Sequence, residues 1–476
     1  MMDNDSMDAQ TDCGKFQFET NSIHACRPLT GAGPFTEDGL ALQFAEQHAH
    51  DLRFVASWSK WLIWTGTHWR PDDTLLAVHL VRKVCREAAA KCGDPRAANA
   101  LASAKAVSAV ERLARADRRL AAAPEQWDRD PWLLNTPGGL VDLRTQETRQ
   151  ARPTDYVTKI TAVAPCGSCP RWHQFLDRIT DGDRGLQDFL QRMCGYALTG
   201  STEEQALFFL FGKGANGKSV FINAVAGILG SYHKTAAVET FVATTTDQHP
   251  TGLAGLQGAR LVTAIETEEG RPWAESRIKS LTGGDRITAR RMRQDWFEYD
   301  PQFKLLIGGN HMPSLRSVDE AISRRFNLLP FTVTIPPRER DGRLPEVLKA
   351  EWSGILAWMI EGCLRWQQNG LRPSAAILEA TQAYLAAEDT VAHWIDEACV
   401  QDAGAITALS TLFTSWKMWA EQNGEPPGSP KKLSQNLEAR RFERCRTRNG
   451  SSFRGLRIRD IAHSNKAELE ASHLID

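Results

Sequence analysis

The stretch LFFLFGKGANGKSVFINAVAGILG, Leu207 to Gly230, decides how the rest of the chain is read. Its first five residues are all apolar, which suits a short strand buried on both faces. A glycine-bearing loop follows, and then Val220, Ile222, Val225, Ile228 and Leu229 recur at helical spacing. Gly212 to Ser219 fits G-x-x-x-x-G-K-[ST], the pattern of a phosphate-binding P-loop. Gly212, Gly214, Asn216 and Gly217 form the expected cradle, where the glycines let the backbone turn its N–H groups toward phosphate oxygens. Lys218 is placed to reach the β- and γ-phosphates, and the Ser219 hydroxyl to ligate Mg²⁺. The helix that starts at Lys218 adds its positive dipole end to the same anion site. ATP and Mg²⁺ are therefore the expected cofactors. The alternative, a chance match in a glycine-containing turn, lacks the strand before and the amphipathic helix after.

The chain has 476 residues, enough for about three domains. Hydrophobic residues make up 42% and charged residues 24%, the balance of an ordinary globular protein with ample core. A formal net charge of −1 gives no global sign of nucleic-acid binding, so any such surface is local. The ten cysteines form no framework, which fits reduced thiols and a cytoplasmic location. Apolar runs stop short of the ~18–20 residues of a membrane span, and the N-terminal MMDNDSMDAQTD is polar and acidic, unlike a secretory signal.

Residues 1–35 read as a flexible leader. In 36–200, Gly39 to Ala49 looks helical, and Phe54 to Asp72 looks like a hairpin with Trp58, Trp61, Trp64 and Trp69 near turn residues. Those tryptophans suit a small packed core, with base stacking as the alternative. Thr74 to Ala123 is alanine-rich and helical in propensity, and Trp132 to Thr145 reads strand, Pro-Gly-Gly turn, strand. Cys166 and Cys169 form a lone CxxC without the second ligand pair that zinc requires. Two helices are expected over Trp172 to Leu198.

Within 201–337, further apolar strands are expected in Ala259–Gly270, Pro301–Pro313 and Arg324–Pro336, alternating with helices as in a buried parallel sheet. An ATPase needs an acid at the end of a strand beside the loop to order Mg²⁺ or polarise water, and Glu266 comes directly after LVTAI, with Glu268 beyond it. Asn310 ends the next strand, where a polar side chain can sense the γ-phosphate. Arg277, Lys279, Arg286, Arg290, Arg291 and Arg293 cluster on a helix and a hairpin. Together with Trp296 and Phe297 they can grip a single strand through phosphates and stacking; an unliganded basic patch is the alternative. Arg324 and Arg325 stand before the last strand, and Arg324 is the first candidate for an arginine finger supplied to a neighbouring subunit. Pairing with Asp319 or Glu320 is the structural alternative.

Residues 338–400 read as a helical extension, with Trp352–Trp366 one helix and Pro373–Val400 a long helical region carrying Tyr384, Val391, Trp394 and Ile395 on one face. A further helix spans Ser410 to Gln422. Lys431 to Arg459 holds ten basic residues against two acidic ones, so 401–462 reads as a winged-helix-like DNA-binding module, followed by a tail at 463–476.

In order and spacing, FGKGANGKS, LVTAIETEEG, IKSLTGGDRITARRMRQD, FKLLIGGNHMP and DEAISRRF resemble the superfamily 3 helicase core. They are most similar to the helicase half of phage and plasmid primases, related to the poxvirus primase–helicase. WLLNTPGGLVDLRT resembles that family's collar-like pre-helicase domain. The resemblance implies an α/β, AAA+-like ATPase core with a mainly α N-terminal domain and a C-terminal winged helix. It implies a hexameric ring that moves on single-stranded DNA, with ATP bound between subunits. By position, Lys218 and Ser219 take phosphate and Mg²⁺, Glu266 is the Walker B acid, Asn310 the sensor and Arg324 the finger. Arg290, Arg291 and Arg293 then belong to the hairpin lining the pore. The sequence departs from the family at Thr267, which replaces a second acid, and at Pro137, where asparagine is commoner. Relatives carry a primase domain ahead of this region, so a separate primase is an expected partner. The competing function is an ATP-switched origin-binding initiator or loader that does not unwind processively.

Overall fold

The computed structural model describes residues 33–243, 251–265, 271–292, 295–315, 318–448 and 450–459. Glu266, Thr267, Glu268 and Arg293, each given a place above, lie outside the described residues, as do most of the leader and the tail. The chain divides into two units, residues 1–63 with 71–124, and residues 64–70 with 125–476.

The first unit is mainly helical. Helix Glu37–His48 begins at Thr36, whose hydroxyl accepts the Gly39 N–H, and it buries Leu40, Ala41, Phe44 and Ala45 on one face. Helices Leu76–Lys91, Pro95–Leu101 and Ala104–Ala114 fill the alanine-rich stretch. Strands Leu52–Val55 and Lys60–Trp64 pair antiparallel, so the hairpin begins two residues before the expected Phe54. Trp61 is buried, and its Nε1 donates to Glu111 at 2.6 Å; the same carboxylate accepts Arg115 Nε at 2.7 Å. A buried carboxylate persists because it is paired, and Trp61 is a core residue with no face open to a base.

In the second unit, helices α1 (Pro170–Ile179) and α2 (Arg184–Leu198) precede the sheet. The sheet has strands β1 (Leu207–Phe211), β2 (His233–Thr235), β3 (Leu261–Ile265), β4 (Lys304–Gly309) and β5 (Phe326–Pro330), in the order β5-β1-β4-β3-β2, with all pairs parallel. Helix α3 (Lys218–Leu229) follows β1. The continuous apolar run of β1 is explained by cover on both faces. Phe208 and Leu210 pack with Trp172, Phe189, Phe221 and Ile228, whereas Leu207 and Phe209 pack with Trp273, Ile278 and Tyr384. The expected strands are present; β2 escaped the sequence because its three residues carry no apolar run. All-parallel strands send their carboxyl ends to one edge, which is where such sheets hold ligands.

Helix α4 (Trp352–Asn369) packs on the sheet's first face. The long helical region expected over Pro373–Val400 is two helices, α5 (Ala375–Ala387) and α6 (Thr390–Ala398). The break comes at Glu388 and Asp389, where the Asp389 carboxylate accepts the Ala392 N–H and caps α6. Tyr384 therefore joins the core under the sheet, while Val391, Trp394 and Ile395 build a separate one. That second core is completed by β6 (Cys399–Ala408), α7 (Leu409–Gln422), α8 (Pro430–Ala439), β7 (Glu443–Thr447) and β8 (Gly450–Ile458), with strand order β6-β8-β7. Strand β6 has no counterpart in the sequence reading; its exposed, alanine- and glycine-containing middle hides the pattern. No helix among the described residues is long and apolar enough to cross a membrane.

Candidate active site

The loop between β1 and α3 is shaped by backbone that glycine permits. Gly214, Ala215 and Gly217 all have positive φ, at 86°, 49° and 83°, so successive N–H groups curve into a concavity suited to an anion. Gly212 is fixed by a close approach: a Cβ there would lie 2.1 Å from the Phe331 carbonyl oxygen. The same carbonyl accepts Asn216 Nδ2 at 2.8 Å, and Asn216 is buried. Its side chain thus ties the loop to the end of β5.

Lys218 is 8% exposed, and burial lowers its ammonium pKa. Its Nζ donates to the Gly212 carbonyl at 2.6 Å and to Asn310 Oδ1 at 3.1 Å. The register explains the meeting. Gly309 pairs with Phe211, so Asn310 and Gly212 leave adjacent strands at the same level. Ser219 is exposed in the first turn of α3. Ile265, the last residue of β3, pairs with Gly308 of β4, which brings the described part of that strand to the same edge. The curved backbone, the desolvated ammonium and the exposed hydroxyl fit a nucleotide triphosphate with its divalent cation.

Arg324 is elsewhere. Arg325 O accepts the Leu207 N–H, which sets both arginines at the edge where β1 and β5 begin. The five residues of β1 separate that edge from Gly212 by roughly 16 Å. Arg324 is exposed and donates to Gln205 Oε1 at 3.0 Å. Arg325 is buried, with Nε on Thr282 Oγ1 at 3.1 Å and an NH group on the Ala321 carbonyl at 2.6 Å. Asp319 instead pairs with Lys279. The arginines therefore differ in kind: one holds the fold and the other faces outward, away from its own chain's loop.

The basic cluster is a helix, Glu275–Gly283, and a two-stranded ribbon, Ile287–Arg290 with Trp296–Tyr299. The ribbon has two faces. Ile287, Ala289 and Tyr299 are buried, whereas Thr288, Arg290, Trp296 and Glu298 are exposed. Arg290 pairs with Trp296 across the ribbon, its guanidinium 5.9 Å from the ring centre. Arg291 turns inward, donating to Gln257 Oε1 at 2.9 Å and lying 5.1 Å over the Phe297 ring. Among the described residues, the solvent face thus sets the Arg290 cation beside the Trp296 ring plane, and Arg291 anchors the ribbon.

A cavity of about 700 Å³, lined in part by Trp132, Tyr156, Tyr232 and Arg260, lies apart from the loop, where β2 and β3 begin. Its Arg260 already donates to the carbonyls of Leu198, Asp130 and Leu133. Of the CxxC pair, Cys166 is exposed and Cys169 buried, and burial pushes the Cys169 thiol up to about 11. Sequence spacing puts Lys218 and Asn310 near one phosphate, but their direct bond and the inward turn of Arg291 depend on long-range register.

Residues 41–181 match the family described as D5 N terminal like, and residues 210–325 match a family of unknown function, DUF5906. A protein of Acanthamoeba polyphaga mimivirus is 22% identical over 323 residues, covering 62% of this chain and 34% of the relative. One of Frog virus 3 is 25% identical over 333 residues, covering 64% of this chain and 32% of the relative. Both are named provisionally as helicases. The chain spans about a third of the length of these relatives. The solved C-terminal region of NrS-1 aligns with 89% of this chain and 100% of its own, at 11% identity and a TM-score of 0.49. The chain is thus similar in part to the D5 N-terminal-like family and to viral proteins provisionally named helicases.

Proposed function

We propose that this chain is an ATP-dependent DNA helicase that works as a ring of identical subunits on single-stranded DNA during replication of a phage, plasmid or other mobile element. The observation that carries the reading is the division of the sheet between two edges. Lys218, Ser219 and Asn310 gather where the strands end, while exposed Arg324 stands where they begin. A hydrolytic site assembled between two copies uses both edges; a site within one copy leaves Arg324 without a task.

In this reading the loop from Gly212 to Gly217 holds the phosphates by its N–H groups, and Lys218 neutralises their charge. Ser219 and Glu266 would hold Mg²⁺, which would supply positive charge against the phosphates. Asn310 contacts the terminal phosphate, and Arg324 reaches the neighbouring copy's site to stabilise charge in the transition state. Arg290 and Trp296 hold the strand, a primase supplies primers, and the work is done in the cytoplasm.

The test is phosphate release and strand displacement measured on one sample, with and without single-stranded DNA, alongside sizing with ATP. DNA-stimulated hydrolysis by an oligomer that displaces a strand is expected. A monomer at every concentration that hydrolyses ATP at full rate overturns it. A second reading, an ATP-switched initiator or loader, is favoured by the C-terminal module, where Lys431, Lys432, Arg446 and Arg448 are exposed on α8 and near the β7–β8 turn. Hydrolysis and DNA binding with no displaced strand select it.

A further inference from the structure

The loop that leaves β4 with Asn310 is held from below by helix α5. Tyr384, 5% exposed, donates its hydroxyl to the Pro313 carbonyl at 2.5 Å and accepts Trp273 Nε1 at 3.0 Å. Trp273 returns to the same loop, its backbone N–H on the Ser314 carbonyl at 2.9 Å. One turn further along, Glu388 Oε2 accepts the Leu315 N–H at 2.6 Å. Three residues in a row, Pro313, Ser314 and Leu315, are therefore bonded to α5 or to the tryptophan it supports.

The far end of α5 leads straight into the C-terminal module. Asp389 follows Glu388, caps α6, and is ion-paired with Arg440 at the end of α8. A continuous path of bonds thus runs from Lys218 through Asn310, its loop, Tyr384 and Glu388, and Asp389, to the helix that carries Lys431 and Lys432. The first contact of this path is one that a bound ligand can change. Lys218 Nζ bonds Asn310 Oδ1 and the Gly212 carbonyl. A triphosphate in the loop competes for that ammonium, so Asn310 has two alternative partners.

We propose that Tyr384 and Glu388 are positioning residues that carry the phosphate contact of Asn310 to the C-terminal module and thereby set that module's hold on DNA. The proposal rests on the nucleotide site described above. By reciprocity, DNA held by the module changes nucleotide affinity by the same factor. Spatial continuity alone does not establish coupling, so the test needs a control on the same helix. Thr381 supplies it: its Oγ1 accepts the Leu328 N–H of β5 at 3.1 Å, a bond of the same kind from α5 to a strand and not to the loop.

The experiment uses the full chain, with Mg-adenylyl imidodiphosphate and a fluorescent 20-base-pair duplex at fixed salt. Nucleotide binding is measured first, then duplex affinity with and without nucleotide. In the wild type the two affinities are expected to differ by about five-fold or more. Tyr384→Phe and Glu388→Ala should each bring the ratio below about two-fold while Thr381→Val keeps it, and one of the two decides alone where the other does not fold. A wild-type chain that binds nucleotide with no change in duplex affinity overturns the proposal. So does a full ratio in both loop variants, or an equal loss in Thr381→Val, which marks general destabilisation. A chain that binds no nucleotide at all sinks the proposed function, and this inference with it.

Discussion

Lys218 Nζ and Asn310 Oδ1 stand 3.1 Å apart, although 92 residues separate them in the chain. The contact exists because β1 and β4 are neighbours in a parallel sheet and end at the same level. Burial lowers the Lys218 pKa. An ammonium held there by two neutral acceptors has stronger electrostatic reach than one in water, which is why a phosphate is proposed as its partner.

Removing the ammonium should abolish the chemistry and leave the fold. Lys218→Ala is expected to lose at least ~100-fold in ATP turnover, the usual cost of removing a group that meets transition-state charge. Asn310→Ala should lower the rate by roughly ten-fold while nucleotide affinity changes little, because the side chain is exposed and acts on the terminal phosphate. Phosphate release and equilibrium nucleotide binding separate the two variants; equal losses in both quantities for Asn310→Ala remove the sensor role.

The two arginines before β5 should fail in different ways. Arg325→Ala leaves Thr282 Oγ1 and the Ala321 carbonyl without their buried donor and should cost about 2–3 kcal/mol in urea unfolding. Arg324→Ala should stay within about 0.5 kcal/mol of wild type yet hydrolyse ATP poorly. Mixing it with Lys218→Ala subunits should restore part of the rate, since each supplies what the other lacks. Wild-type turnover by Arg324→Ala alone rules out action across subunits.

On the ribbon, Trp296→Ala should weaken single-strand binding by about 1–3 kcal/mol, the range for one lost base stack. Arg290→Ala should weaken it at low salt and reduce the salt slope by about 0.7. Arg291→Ala is expected to act on stability, through the lost Gln257 bond, with the salt slope unchanged. Fluorescence anisotropy with a labelled oligonucleotide across a salt series reads all three.

Lys304, at the start of β4, gives a pH prediction. It is 2% exposed, and burial first, then Arg260 nearby, lower its pKa well below 10.5. Its ammonium donates to the carbonyls of Thr199, Ser201 and Gln302. A base whose pKa is depressed on folding binds fewer protons in the native state than in the unfolded one, so its contribution to stability rises with pH across that window. The stability difference between wild type and Lys304→Met should grow from pH 7 to pH 9.5 in urea titrations. A difference that is flat or shrinks shows an ammonium as well accommodated inside as in water.

The strands β1, β3, β4 and β5 were legible because burial on two faces demands unbroken apolar runs, whereas β2 and β6 were not, because short or half-exposed strands lack them. The phosphate loop was legible because local backbone geometry requires glycine at fixed offsets. Spacing alone makes Asn216 a cradle residue, and its bond to Phe331 emerges only when β5 lies beside β1. The tyrosine of α5 looked like a companion of Trp394 by helical spacing, but a break at Asp389 sends the two into different cores.

By itself the sequence determined the local chemistry: which residues can cradle phosphate, which strands must be buried, and which segments carry basic charge. Tertiary structure alone decided which of them work together. Sheet order placed Asn310 beside Lys218, set Arg324 at the opposite edge, and separated the outward Arg290 from the anchoring Arg291. The physical reason is that propensity and spacing act over a few residues, whereas strand register fixes neighbours between parts of the chain that no local pattern connects.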